Sequence, residues 1–189
     1  MEKRVFFYEK PGRENTDECL RVVKEAVKDG LKHVVVATTT GDTGLKISGL
    51  LKGTGVNLVV VTHSAGFKEP NHMEMPPEIR ENIVSNGAKV HTGTMVTHSL
   101  DTAFSGKFSG SYISHIVAQS LRRFGEGPKV CCEITMMAVD AGLIPEGEEV
   151  IAVAGTARGA DTVAIMKSAA TKRFFDLRVL EILAKPRGL

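Results

Sequence analysis

The chain has 189 residues, 42% of them hydrophobic and 24% charged, with a net charge of +2. That is enough chain to bury a core, and the balance is that of an ordinary globule. Basic residues are scattered, Trp is absent and Tyr occurs twice, so a nucleic-acid-binding surface is not expected.

Val5 to Tyr8 reads as a short strand, broken by Pro11-Gly12. Asn15 or Thr16 is expected to cap a helix whose apolar positions are Leu20, Val23, Val27 and Leu31. His33 to Ala37 is a second strand. It stops abruptly at Thr38-Thr39-Thr40-Gly41-Asp42-Thr43-Gly44, behind which a helix begins. Asn57 to Thr62 is a third strand, followed by a long loop reaching Met75. A helix starts at Pro76-Pro77 and ends near Asn86-Gly87. Lys89 to His91 is a short strand, and Thr92 to Gly110 reads as a second long polar loop. Helices follow at about Tyr112 to Phe124 and Val130 to Ala141. Glu149 to Ala154 and Val163 to Met166 are strands, with "GTARGADT" after the first of them, and the β-branched tail reads as a last strand.

Strands alternating with helices indicate a largely parallel sheet covered on both faces. Val34-Val35-Val36 and Val59-Val60-Val61 are apolar at successive positions, as strands buried on both sides require. One α/β domain over residues 1–189 is the simplest reading. The start, Glu2-Lys3-Arg4, is charged, and the apolar Val5-Phe6-Phe7 is too short for a signal core. No apolar run approaches the roughly 20 residues of a membrane span. Cys19, Cys131 and Cys132 form no CxxC pair, which suits a reducing compartment. A cytoplasmic protein without a membrane partner is therefore expected, and a homo-oligomer stays open.

In an open parallel sheet, ligands bind beyond the carboxyl ends of the strands. Those ends here are rich in Gly, Thr and Ser. The Thr38–Gly44 loop has a rationale for phosphate: its glycines permit close backbone approach, its threonines donate, and the helix behind offers free amides and a positive dipole end. The plainer reading is a strand-to-helix turn capped by Asp42 or Thr43. No P-loop pattern is present, and Gly53-Thr54-Gly55 precedes a strand and so is no dinucleotide fingerprint.

Other residues leave alternatives open. Arg158, near Asp161, is either a contact to a phosphate, carbonyl or flavin ring, or a surface arginine paired with an acid. Glu133 and Asp140, seven apart, share one face of a helix; they mark a wet stripe, the preferred reading, or line a pocket. His63, just past a strand end, suits a ligand contact or a proton carrier. The histidines show no metal-binding spacing. Cys131, Cys132, Met136 and Met137 read as core.

The segment Thr38 to Thr43 fits T-x-T-G-x-T and resembles the phosphate loop of flavodoxins, although it follows the second strand and no Trp or Tyr offers itself for flavin stacking. More widely, the strand–TTTGDT–helix unit and the "GTARGADT" loop resemble the C-terminal domain of pyruvate kinase. The whole chain is similar to small, mostly archaeal stand-alone proteins of that fold. It shares with them "KPGRENT", "THSAGF", "KVCCEITMMAVDAGLIP" and "FFDLRVLEILAKPR". The resemblance implies a three-layer α/β/α sandwich with a mostly parallel, mixed sheet containing one antiparallel strand. It implies a flavin mononucleotide (FMN) binder without kinase activity, since the catalytic barrel is missing. The expected cofactor-binding set is Asn15, Thr38, Thr39, Thr40, Gly41, Asp42, Thr43, Thr62, His63, Gly66, Gly155, Thr156, Arg158 and Gly159, with no metal ligands. One departure stands out: where relatives carry a Pro-Ala-His-Met-like turn, this chain has Ser168-Ala169-Ala170-Thr171. The functions in contention are a binder of a small phosphorylated molecule, a flavin-dependent oxidoreductase with the two long loops as lids, and a sensing domain.

Overall fold

The computed structural model describes residues 4–188, so Glu2 and Lys3 of the charged start lie outside it. Seven strands form one sheet: β1 (Phe6–Tyr8), β2 (His33–Ala37), β3 (Asn57–Thr62), β4 (Lys89–Thr92), β5 (Glu149–Ala154), β6 (Thr162–Lys167) and β7 (Arg178–Pro186). Their spatial order is β1-β7-β6-β5-β2-β3-β4. Only β6 runs against the others, pairing antiparallel with β5 and β7. The mixed sheet with one reversed strand is thus as expected.

Six α-helices are present among the described residues: α1 (Thr16–Lys28), α2 (Asp42–Leu51), α3 (Pro77–Ser85), α4 (Ser99–Phe108), α5 (Ile113–Leu121) and α6 (Glu126–Asp140). Of these, α1, α2 and α3 pack on one face of the sheet and α6 on the other. The valine runs explain the layering. Val34, Val36 and Val60 enter one core with Cys19, Val23, Ile47 and Ile83 of α1, α2 and α3. Val35, Val59 and Val61 enter the other, with Cys131, Met137 and Ala138 of α6. Complete burial of such a side chain contributes about 1.5–3 kcal/mol, so strands with no wet face anchor both layers. The cysteines behave as core: burial pushes Cys19 up to about 12 and Cys132 up to about 11, far from thiolate chemistry.

Two elements differ from the expectation. The stretch expected to be a polar loop from Thr92 to Gly110 contains α4, which has no buried residue. Its apolar side chains Leu100, Phe104 and Phe108 repeat every four positions but stay exposed, and the Ser, Thr and Gly between them hid the period. Helix α6 begins at Glu126 rather than near Val130. Gly127 and Pro128 look like breakers, yet Pro is tolerated in a first turn, where its missing N–H has no intrahelical partner. No helix among the described residues is long and apolar enough to cross a membrane.

Candidate functional site

Strand β2 sits where the chain reverses direction through the sheet: α2 leads from it to β3 on one side, and β5 lies on the other. At the carboxyl ends of β2 and β5 a cavity of about 650 Å³ opens. This is the topological switch point at which α/β sheets take ligands, and the volume lies in the roughly 300–1,000 Å³ range of small-molecule sites.

Three helix starts face this cavity, through Arg13 and Thr16 beside α1, Asp42, Thr43 and Lys46 of α2, and Glu126 and Val130 of α6. None of the three helices has a side-chain cap. The plain-cap reading of Asp42 or Thr43 therefore does not describe α2, whose N-cap is Gly41. Asn15 does not cap α1 either; its amide points back to the carbonyls of Lys10 (2.9 Å) and Gly12 (3.2 Å).

Among the described residues, the hydroxyls of Thr38, Thr39 and Thr43 have no protein partner, while Thr40 donates to Asp42 at 3.1 Å. The glycines also have a packing purpose. A Cβ at Gly41 would stand 2.4 Å from Ile79 Cγ2, and one at Gly44 2.8 Å from Val60 Cγ1. Both serve close packing of the loop and α2 against α3 and β3.

The "KPGRENT" and "GTARGADT" motifs meet at the far wall. Asp161, wholly buried, accepts from the Gly12 amide (3.1 Å), the Thr156 amide (3.0 Å) and the Thr162 hydroxyl (2.9 Å). Thr16 donates to the Arg13 carbonyl (2.7 Å) and accepts from the Ala160 amide (3.0 Å). Gly159 has φ +73°, and a Cβ there would meet Arg13 Cα at 2.5 Å. The loop tip turns through Ala157 at φ +61°, with the Arg158 amide on the Thr156 carbonyl at 2.8 Å. A tight three-residue turn at a non-glycine residue is costly backbone. It sets Arg158 at the cavity, exposed and without an ion pair among the described residues. The paired-surface-arginine alternative is therefore not realised.

Of the expected set, Thr38, Thr39, Thr40, Asp42, Thr43, His63, Gly155, Arg158 and Gly159 line this cavity. Asn15, Gly41, Thr62, Gly66 and Thr156 do not. Thr62 is committed to the His63 carbonyl (2.8 Å) and the Thr92 hydroxyl (2.7 Å). The Gly66 amide closes its own loop on the His72 carbonyl at 2.9 Å. Arg13, Thr16 and Lys46 line the cavity and were not expected. For Lys46 the signal was its position one turn beyond Thr43 on the same helix face; its ammonium pairs with Asp17 at 2.8 Å.

Glu133 is not on a wet stripe. It is buried, bonded to Lys129 (2.8 Å) and to the amide (3.0 Å) and hydroxyl (2.5 Å) of Thr97. Burial works to raise its carboxyl, but the Lys129 ammonium and the Thr97 donors offset this and leave it below the ordinary glutamate value. Asp140 is exposed and accepts from the amide (2.9 Å) and hydroxyl (2.5 Å) of Thr171. The Ser168–Thr171 turn belongs elsewhere: Thr171 lines a second, apolar cavity of about 490 Å³ together with the Thr94–Asp101 segment. The second long loop therefore does not cover the polar cavity. Among the described residues, no group of three or more His, Cys, Asp or Glu could hold a metal ion.

Residues 19–167 match the family described as pyruvate kinase, alpha/beta domain. The chain belongs to that family. Among solved structures it is similar to a pyruvate kinase from Cryptosporidium parvum, at 18% identity and a TM-score of 0.43, covering 85% of this chain and 24% of that one. Another structure of that organism's enzyme, in complex with ADP, matches at 18% identity and TM-score 0.43, covering 86% of this chain and 25% of that one. An O-ureido-L-serine synthase matches at 17% identity, with TM-score 0.32 and coverage of 76% and 51%. The chain thus spans about a quarter of the length of the pyruvate kinases it matches.

Proposed function

We propose that the protein binds a small phosphorylated molecule, FMN being the best single candidate, with the phosphate in the Thr38–Thr43 loop. The observation that carries this reading is the convergence of three uncommitted threonine hydroxyls and the uncapped start of α2 on one cavity. Arg13 and Arg158, both exposed and free of ion pairs among the described residues, stand at its other wall. An anion at a helix start gains from both amides and dipole. Thr38, Thr39, Thr43 and the α2 amides would hold the phosphate, and Arg158 would meet a second polar group. FMN, when bound, would supply redox chemistry; the chain's part would be to bind and orient it.

A second reading is a sensor for a more polar phosphorylated metabolite. It is favoured by the lining, in which the His63 imidazole is the only ring. The test is an absorbance titration of the purified protein with FMN and then with riboflavin. Binding of FMN with far weaker binding of riboflavin supports the phosphate loop. Equal affinity for the two removes it. Binding of neither turns the search to phosphosugars and other nucleotides.

A further inference from the structure

The loop after β3 carries a hydrogen-bonded relay that the phosphate reading does not use. The Glu74 side chain is only 8% exposed, and each of its oxygens has its own donor. Lys68 Nζ reaches Oε1 at 2.6 Å and His63 Nδ1 reaches Oε2 at 2.8 Å. Burial acts to raise the Glu74 carboxyl; the Lys68 and His63 contacts more than offset it and keep the group below its ordinary value, hence ionised. An ionised carboxylate only accepts hydrogen bonds. The proton in the His63–Glu74 bond therefore belongs to Nδ1, and in the neutral ring Nε2 is a bare acceptor.

The rest of the loop holds the ring in place. The imidazole packs on Phe67 at 4.2 Å between centroids, and Phe67 packs on His98 at 5.1 Å. The loop closes on itself through the amides of Gly66, Phe67 and His72. His63 lines the polar cavity, and among the described residues no partner takes its Nε2. The guanidinium groups and helix amides of that cavity can only donate. His63 adds an acceptor of fixed direction.

We propose that Glu74 is a positioning residue that fixes His63 as the Nδ1–H tautomer, so that Nε2 accepts a hydrogen bond from the occupant of the cavity. The occupant is then a phosphorylated molecule that also carries an N–H or O–H donor away from its phosphate. This second half rests on the phosphate reading; the first does not.

The test uses the full chain labelled with ¹⁵N-histidine, the His63 signals being assigned by their loss in His63→Gln. Long-range ¹⁵N–¹H correlation, at a pH high enough that the ring is neutral, should show Nδ1 protonated and Nε2 bare in the wild type and in Lys68→Met. In Glu74→Ala the ring should pass to the Nε2–H form that a free imidazole prefers. A wild-type ring protonated on Nε2, or one unchanged in Glu74→Ala, overturns the proposal; the wild-type spectrum decides even if that variant fails to fold. Inorganic phosphate and FMN are then titrated calorimetrically. Glu74→Ala should leave phosphate affinity within about twofold and weaken FMN about tenfold. An equal loss for both probes would make Glu74 a brace of the loop and overturn its positioning role. A wild-type protein that takes up neither probe overturns the phosphate reading, while the tautomer spectrum, which needs no ligand, still decides the positioning.

Discussion

Two cavities lie along α6, and they differ in what their walls have left to offer. The polar one, touched by Glu126 and Val130, has helix starts without side-chain caps and, among the described residues, three threonine hydroxyls and two arginine side chains without partners. The apolar one, touched by Met136, is lined by Met95, Val96, Leu100, Ile113, Val117, Phe174 and Phe175. Several of its polar groups are already spent, Thr97 on Glu133, Asp101 on the Ser114 amide and Thr171 on Asp140, while the buried Ser114 hydroxyl keeps no partner among the described residues. A mostly apolar pocket with a few polar groups is the usual first choice for a ligand. Here uncommitted threonine hydroxyls meet arginines and helix starts only in the other of these two cavities, and that combination decides where an anion would go.

The comparison breaks first at the phosphate loop. Thr39→Ala combined with Thr43→Val removes two hydroxyls that would each bond a charged group, at about 1.5–3 kcal/mol apiece. FMN affinity should fall on the order of 10²- to 10⁴-fold by titration, with the thermal midpoint little changed. Phe174→Ala in the apolar cavity should leave that affinity within about twofold. The reverse pattern would move the site to the apolar cavity.

Next comes the ion pair between the two cavities. Lys129→Met leaves Glu133 buried without its cation, which costs about 3–5 kcal/mol. The midpoint should drop on the order of 10 °C in a chain of this size. Because the Glu133 carboxyl lies below its ordinary value in the fold, its contribution is present above the unfolded value, about 4.3, and disappears as pH falls through the folded one. The stability difference between wild type and Glu133→Gln should therefore shrink in acid. A difference independent of pH would remove the electrostatic account.

Gly44→Ala sets a smaller effect. The new methyl would crowd Val60 Cγ1, Thr38 Cγ2 and Ile83 Cδ1, at 2.8, 3.1 and 3.2 Å. Overpacking of this kind costs about 1–3 kcal/mol, and the better helix propensity of alanine returns up to about 1 kcal/mol. A net loss near 1 kcal/mol by denaturant unfolding, with weaker FMN binding, would show that this glycine seats the start of α2. Unchanged stability with weaker binding would restore the expectation that the glycine serves the anion directly.

Much of this was legible in the residues, and the exceptions share a cause. Valine runs, glycine stops and the Thr-Gly loop are local signals, and they located the strands and one wall of the polar cavity. The opposite wall depends on contacts between Gly12 and Asp161 or Thr16 and Ala160, about 150 residues apart in the chain on the order-of-magnitude scale of sequence separation that local periodicity does not reach. Arg13 and Thr16 were hidden for that reason. The burial of Glu133 was hidden too: Lys129 stands one turn before it on α6, but Thr97, which supplies its other donors, lies outside that helix. Helix α4 was missed for another reason: its apolar stripe finds no core, and Ser, Thr and Gly outnumber the apolar positions that define the period.

The smallest expected effect is at Asp140. This carboxylate ends α6 and anchors the Thr171–Asp176 turn through both donors of Thr171. An acid there opposes the negative end of the helix dipole, so Asp140→Asn loses charge-assisted bonds but relieves that repulsion. Asparagine keeps one carbonyl acceptor, and the net change should stay below about 1 kcal/mol. Hydrogen exchange should quicken across 171–176, the wall that bears Phe174 and Phe175, and stay unchanged across 38–45. Exchange that quickened equally at both would mean that α6 transmits strain between the cavities, and that their difference is not one of independent walls.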